Sequence, residues 1–109
     1  MGRAHLGEFE QVLLYSLVRL GDDTSGVAIA GLIEERTGRV ISPGAIYTGL
    51  MRLERRRLVR SQLGEPTPQR GGKRRRLYRA TPLGLRVLAD MHTALSEMAR
   101  GLKPKLHSS

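Results

Sequence analysis

Cysteine is absent from the 109 residues, which removes disulfides, thiolate metal sites and a cysteine nucleophile together. Tryptophan is absent too, phenylalanine occurs once and tyrosine three times. A core drawn instead from Leu, Val, Ile and Ala suits packed helices better than a β-sandwich. Long apolar runs are also missing: stretches such as Val12–Leu14 fall far short of the roughly 20 residues that a membrane-spanning helix needs. Arg3, His5, Glu8 and Glu10 stand where the apolar centre of a signal peptide should begin, so the chain is expected in the cytoplasm and away from membranes. His5, His92 and His107 share no metal-ligand spacing, and no cofactor is expected. No nucleophile and base come together in the coarse fold, and Glu34-Glu35 reads as a solvated helix face. An enzyme is the least favoured class.

What the chain does have is localised positive charge. The net charge is +9, and eleven of the nineteen Lys and Arg residues lie between Arg52 and Arg79, against two acids, Glu54 and Glu65. The remainder is balanced. A surface charged only for solubility would interleave the signs. An almost pure arginine block points to a polyanion, because guanidinium forks match phosphates and guanine edges. A merely solvated face is the plainer alternative, but it would carry more compensating acids.

The length is that of one domain. Leu6, Phe9, Leu13, Leu17 and Leu20, widened by Val12, Leu14 and Val18, predict an amphipathic helix over residues 6–20. Gly21-Asp22-Asp23 ends it. Thr24 or Ser25 can cap a second helix over 26–37 with Val27, Ile29, Leu32 and Ile33 inward and Gly38 as its stop. Ser42-Pro43 is a cap followed by the residue that best tolerates the first helical position, and a third helix is predicted over about 43–57. Ile46, Leu50 and Leu53 face inward there. Ala45, Thr48, Gly49, Arg52 and Arg56 form a small, polar or basic face, on which Gly49 suits close approach to another surface. Leu58–Leu63 and Arg76–Ala80 are strand candidates, joined by a Pro/Gly-rich connector over 64–72 that reads as neither helix nor strand. Thr81-Pro82 opens a last helix reaching about Leu102. Its Leu88, Met91, Leu95, Met98 and Leu102 recur at three- and four-residue spacing, a two-heptad seam suited to a partner helix. A helix of about twenty residues extends ~30 Å, more than a small domain needs to cover itself.

The expected fold is therefore mainly α with a small β-hairpin. Residues 1–81 form a winged helix-turn-helix, 82–102 a dimerisation helix in the same compact unit, and 103–109 a frayed tail. In such a layout the third helix enters the major groove while the hairpin reaches a neighbouring phosphate run or minor groove. Thr48, Gly49 and Arg52 would face bases or backbone, Ser42 and the helix N-terminus would hold a phosphate, and Arg70, Lys73, Arg74 and Arg75 would supply wing contacts. Gly71-Gly72-Lys73 is not a phosphate-binding P-loop, because Thr67 stands where the upstream glycine belongs and Arg74 where Ser or Thr belongs.

Several stretches carry a more specific likeness. They are Leu6-Gly7-Glu8-Phe9-Glu10, Ser25-Gly26-Val27-Ala28-Ile29, Ile41-Ser42-Pro43-Gly44-Ala45-Ile46-Tyr47-Thr48-Gly49-Leu50 with Arg52-Leu53-Glu54, and Gly71-Gly72-Lys73-Arg74 leading to Tyr78-Arg79-Ala80-Thr81-Pro82-Leu83-Gly84. From Leu6 to about Leu88 the chain resembles the PadR-like transcriptional regulators of bacteria, in the short subgroup with a single C-terminal helix. The resemblance implies a homodimer on double-stranded DNA, with Tyr47 on the recognition helix near DNA and the last helix as dimer contact. It adds Gly44 and Tyr47 to Ser42, Thr48 and Arg52 as candidate contacts. Arg57 stands in the turn where the family commonly has glycine. Regulators of this kind are often switched by a small molecule. If one acts here, its cavity is expected between the first helix and the dimer helices, though no residue pattern identifies it.

The leading expectation is a repressor on a short, roughly palindromic operator. RNA binding could use the same charge, but four aromatics, Phe9 among them in the core stripe, leave little for base stacking. Non-specific packaging of DNA would leave Thr48 without a role.

Overall fold

Each helix begins where a polar cap meets an apolar repeat. A computed structural model describes residues 5–66, 68, 71 and 74–106, with the side chains at 103 and 104 excepted. Helix α1 spans Glu8–Leu20, strand β1 Thr24–Ser25, helix α2 Gly26–Thr37 and helix α3 Pro43–Arg55. Strands β2 (Val59–Pro66) and β3 (Arg74–Ala80) form the hairpin, followed by α4 (Pro82–Ala99) and the single turn α5 (Lys103–Leu106).

The caps hold as physical contacts. The hydroxyl oxygens of Ser25, Ser42 and Thr81 accept from the Ala28, Ala45 and Gly84 N–H groups at 3.2, 3.1 and 3.0 Å. At α1 the cap is Gly7, which has no side chain to offer. The Glu10 carboxylate accepts from the Gly7 N–H instead, at 2.9 Å, the reverse half of a capping box.

Helices α1, α2 and α3 enclose the core. Leu13, Leu14 and Leu17 meet Ile29, Ile33, Ile46, Leu50 and Leu53, while Leu6, Leu58, Val59, Tyr78 and Leu88 close its edges. The stripes are narrower than the sequence suggests. Val18 and Leu20 of α1 are exposed and Leu32 is half-buried. Val27, expected inward, is 73% exposed, because the first turn of α2 overhangs the end of the core.

The sheet is antiparallel in the order β1-β3-β2. Its third strand escaped the sequence reading: Thr24 and Ser25 pair with Tyr78 and Leu77 and tie the entry of α2 to the hairpin. The hairpin strands run further than expected. Pairing continues from Val59↔Ala80 to Pro66↔Arg74, with an irregularity between Leu63 and Pro66. Pro66 is tolerated because β2 is an edge strand, where a missing N–H costs no ladder bond.

Helix α3 ends at Arg55, two residues earlier than expected, in a turn through Arg56 and Arg57. Arg57 has φ +63°, a left-handed conformation that glycine adopts without steric cost. Glycine, which the resemblance leads one to expect in this turn, would take that conformation without strain. The turn is locked by Leu58 N–H to Leu53 O at 2.9 Å and by the Thr81 hydroxyl donating to Arg57 O at 2.7 Å. Thr81 thus anchors the root of α4 to the end of α3.

Helix α4 covers α1 and β3 with its residues up to His92, whose Nδ1 lies 2.7 Å from the Tyr15 hydroxyl of α1. Leu88 is 5% exposed and Val87 and Met91 pack against the core, whereas residues 92–102 are all exposed. The helix stops at Ala99 rather than about Leu102, and the segment expected to fray contains the short turn α5. Among the described residues no helix is long and apolar enough to cross a membrane.

Candidate nucleic-acid interface

Helix α3 has two opposed faces, and its periodicity decides what each touches. Ile46, Gly49, Leu50 and Leu53 are buried. Gly44, Tyr47, Thr48, Arg52 and Arg55 are exposed. Thr48 and Arg52 lie one turn apart on the outer face, with Gly44 one turn before them and Tyr47 alongside, 55% exposed. Ser42 uses its oxygen to cap the helix, which leaves its hydroxyl hydrogen to donate outward at the same N-terminus.

Two members of the expected outer face belong elsewhere. Gly49 faces α1. A Cβ built on it would lie 2.6 Å from Leu13 Cδ1 and 3.0 Å from Phe9 Cε2. The close approach that glycine permits is helix against helix, and the expected role toward an outside surface is corrected. Arg56 also turns inward. Its Nη1 pairs with the Glu10 carboxylate at 3.1 Å and its Nη2 donates to the His5 carbonyl.

Ion pairing sorts the remaining arginines. Arg79 is held by Asp22 at 3.7 Å and Asp23 at 3.3 Å, and the hydrogen bond it donates to Asp23 raises its already high pKa. Arg39 pairs with Glu8 at 2.8 Å. Among the described residues of the basic block Arg52, Arg55, Arg57, Arg60, Arg74, Arg75 and Arg76 make no ion pair, and all are exposed. Arg74 is steadied on the hairpin by its Nε, which donates to Gly64 O at 2.9 Å, leaving its terminal nitrogens free to turn outward. Arg70 and Lys73 lie outside the described residues.

Helix and hairpin are joined by a polar relay absent from the sequence reading. The Ser61 hydroxyl on β2 donates to the Glu54 carboxylate on α3 at 2.7 Å and accepts from Arg76 Nη1 on β3 at 3.0 Å. The signal was the lone acid amid the arginines of α3. Nearby Tyr78 is buried, and burial is the main cause that raises its pKa. Tyr47 and Glu54 add to the rise and Arg76 opposes it.

The seam of α4 divides. Leu88, expected at a dimer contact, is committed to the chain's own core, and Met91 is half-buried. Leu95, Met98 and Leu102 are exposed beyond it.

Three helices, a two-stranded wing and a short strand pairing with it define a winged helix-turn-helix protein. A family profile described as the transcriptional regulator PadR-like family matches residues 13–90. The chain belongs to that family, which is one of transcriptional regulators and not of enzymes. It is 43% identical over 67 residues to transcriptional regulator Rv3488 of Mycobacterium tuberculosis, a match covering 60% of this chain and 57% of that protein. Among solved structures, a transcriptional regulator from Clostridium thermocellum is 27% identical with a TM-score of 0.69, covering 84% of this chain and 85% of the other. A PadR family transcription regulator from Clostridium difficile shares the fold with a TM-score of 0.74 at 24% identity, covering 92% and 99%.

Proposed function

We propose that the chain binds double-stranded DNA sequence-specifically as a homodimer on a roughly palindromic operator and represses transcription from it. The observation that carries this reading is that Ser42, Gly44, Tyr47, Thr48 and Arg52 of α3 and its cap, and Arg74 and Arg75 of the wing, are all exposed, with Tyr47 and Arg75 bordering one pocket. Thr48 and Arg52 read base edges from the major groove, while Ser42, Arg74 and Arg75, together with Arg70 and Lys73 of the connecting sequence, hold phosphates. Phosphate contacts set register and base contacts set sequence.

Dimerisation is supported by α4, whose last two turns leave Leu95 and Met98 exposed, and by Leu102, exposed just past the end of the helix. Two-fold symmetry then sets the two α3 helices about one DNA turn, ~34 Å, apart. Repression follows from occupancy of a promoter-proximal site.

The test is selection of bound sequences from random duplex DNA at about physiological salt, where non-specific binding is weakened. An enriched inverted repeat with half-sites one turn apart supports the reading, and loss of transcription in vitro from a promoter carrying it supports repression. No enrichment, or tighter binding to a structured RNA, overturns it.

A further inference from the structure

Between α2, α3 and β3 lies a pocket of about 340 Å³, at the small end of the range for organic ligands. Its walls are aliphatic, from Val27 and Ala30 on α2 and Ile46 and Leu50 on α3. Polar side chains of β3, Tyr78 and Arg76 foremost, interrupt them. Tyr78 lines the pocket and is only 6% exposed, and its hydroxyl has no hydrogen-bond partner among the described residues. A buried tyrosine ordinarily finds such a partner. No fully enclosed side-chain polar atom is left unsatisfied among the described residues, so the hydroxyl is not sealed in. The open space beside it is this pocket. Burial raises its pKa, so it is a neutral proton donor throughout the physiological range. Arg76 lines the pocket too. Its contact with Ser61 occupies one N–H of the five in a guanidinium.

A hydroxyl donor beside a guanidinium receives an anion, and two oxygens of a carboxylate can accept from both. The aliphatic walls receive an apolar body. A cation would meet Arg76, and a neutral alcohol would leave it unanswered. We propose that this pocket binds a small carboxylate with an aliphatic body, headed toward Tyr78 and Arg76, and that such a ligand competes with DNA. The competition rests on the DNA-binding reading, because Pro43 and Tyr47 of α3 and Arg75 of the wing share the pocket rim. This location differs from the cavity beside the dimer helices expected from sequence.

Decanoate is the probe, titrated into the DNA-free protein and followed by methyl and amide NMR shifts. Saturable shifts centred on Val27, Ala30, Ile46 and Leu50 are expected, with decanol weaker and decylammonium inert. Tyr78→Phe keeps the ring in the core and should weaken decanoate by about tenfold, the effect of losing one hydrogen bond to a charged group. Val27→Trp starts from an exposed position, fills the pocket without entering the core, and should abolish binding. Absent shifts, shifts centred on Leu95 and Met98, or equal binding of decylammonium overturn the site. Decanoate should also displace duplex DNA from the parent chain but not from Val27→Trp. Decanoate bound without displacement overturns the competition and leaves the site standing. A parent chain that binds no duplex DNA at all overturns the functional proposal instead, while the DNA-free titration still decides the pocket.

Discussion

The Ser61 hydroxyl of β2 donates to the Glu54 carboxylate of α3 at 2.7 Å, so the recognition helix and the wing share a polar joint. Arg76 closes it from β3 at 3.0 Å. Glu54 and Arg76 are exposed and Ser61 is half-buried, so the net contribution to stability is small, about 1 kcal/mol or less. On the proposed reading, its effect is on the angle between two elements that engage one duplex together. Ser61→Ala should therefore leave the urea midpoint nearly unchanged while weakening specific DNA binding several-fold. Ser61→Thr, which keeps the hydroxyl, should restore most of it. A loss of stability that tracks the loss of affinity would make the joint merely structural.

Two glycines separate a flexible neighbour from a rigid one. A Cβ on Gly84 would lie 2.1 Å from the Leu58 carbonyl oxygen, backbone that also accepts from the Thr81 N–H at 3.0 Å. That oxygen cannot retreat without breaking the anchor of α4. Gly84→Ala should cost about 3 kcal/mol or more, at the upper end for overpacking. On Gly49 the nearest atoms are side-chain ends of Leu13 and Phe9, which can give by small rotations. Alanine also gains roughly 1 kcal/mol in a helix interior. Gly49→Ala should therefore cost about 1 kcal/mol or less. Urea denaturation of both variants checks the order, and an equal loss would mean that Leu13 is as immovable as backbone.

The parts legible in sequence were those with a local signature. Ser42-Pro43 and Thr81-Pro82 announce α3 and α4 because a cap and a preset φ act over four residues. Ile46, Leu50 and Leu53 follow from helical period alone. What was not legible depended on distance or phase. A two-residue strand such as Thr24–Ser25 has no period to detect. Val27 continues the stripe of α2 in sequence, but the core ends before it. Gly49 reads as a small residue whichever surface presses on it, and only the position of Phe9 and Leu13 decides that it faces α1. Arg56 is one of three consecutive arginines, and its pairing with Glu10 crosses 46 positions. Leu88 and Leu95 are equivalent in a heptad, yet one packs on its own domain and the other lies beyond it.

Tyr78 gives the stability a pH dependence with a definite sign. Burial raises its pKa above the ordinary 10.0, so the folded state holds the phenolic proton more tightly than the unfolded chain does. The associated stability is fully present below pH 10.0 and is lost as pH rises from there through the folded-state value. Ultraviolet titration of the native protein should show a tyrosinate step above pH 10.0 that disappears in Tyr78→Phe. Melting curves of that variant should also fall less steeply over the same alkaline interval. An unchanged titration would mean that the hydroxyl is better solvated than its 6% exposure implies.

The wing and the recognition helix should fail differently when their arginines are removed. Arg74 and Arg75 project from a hairpin whose contacts, on the proposed reading, are phosphates common to every sequence. Replacing both with Ala removes counterion release at those phosphates. Affinity should drop for all DNA, and the slope of log K against log salt should flatten by about 0.9 for each phosphate no longer neutralised. Thr48 and Arg52 stand on the outer face of α3, which on the same reading meets base edges that differ between sequences. Arg52→Ala should cost about 1–3 kcal/mol on the preferred site and relax selection at one position of each half-site, while non-specific affinity falls little. Thr48→Ala should act in the same direction more weakly, since a hydroxyl makes a less discriminating contact than a guanidinium fork. Titrations on matched and scrambled duplexes at several salt concentrations separate the two patterns. If the wing variant lost sequence preference while Arg52→Ala only weakened binding uniformly, the hairpin would be the reading element and α3 the one that grips the backbone.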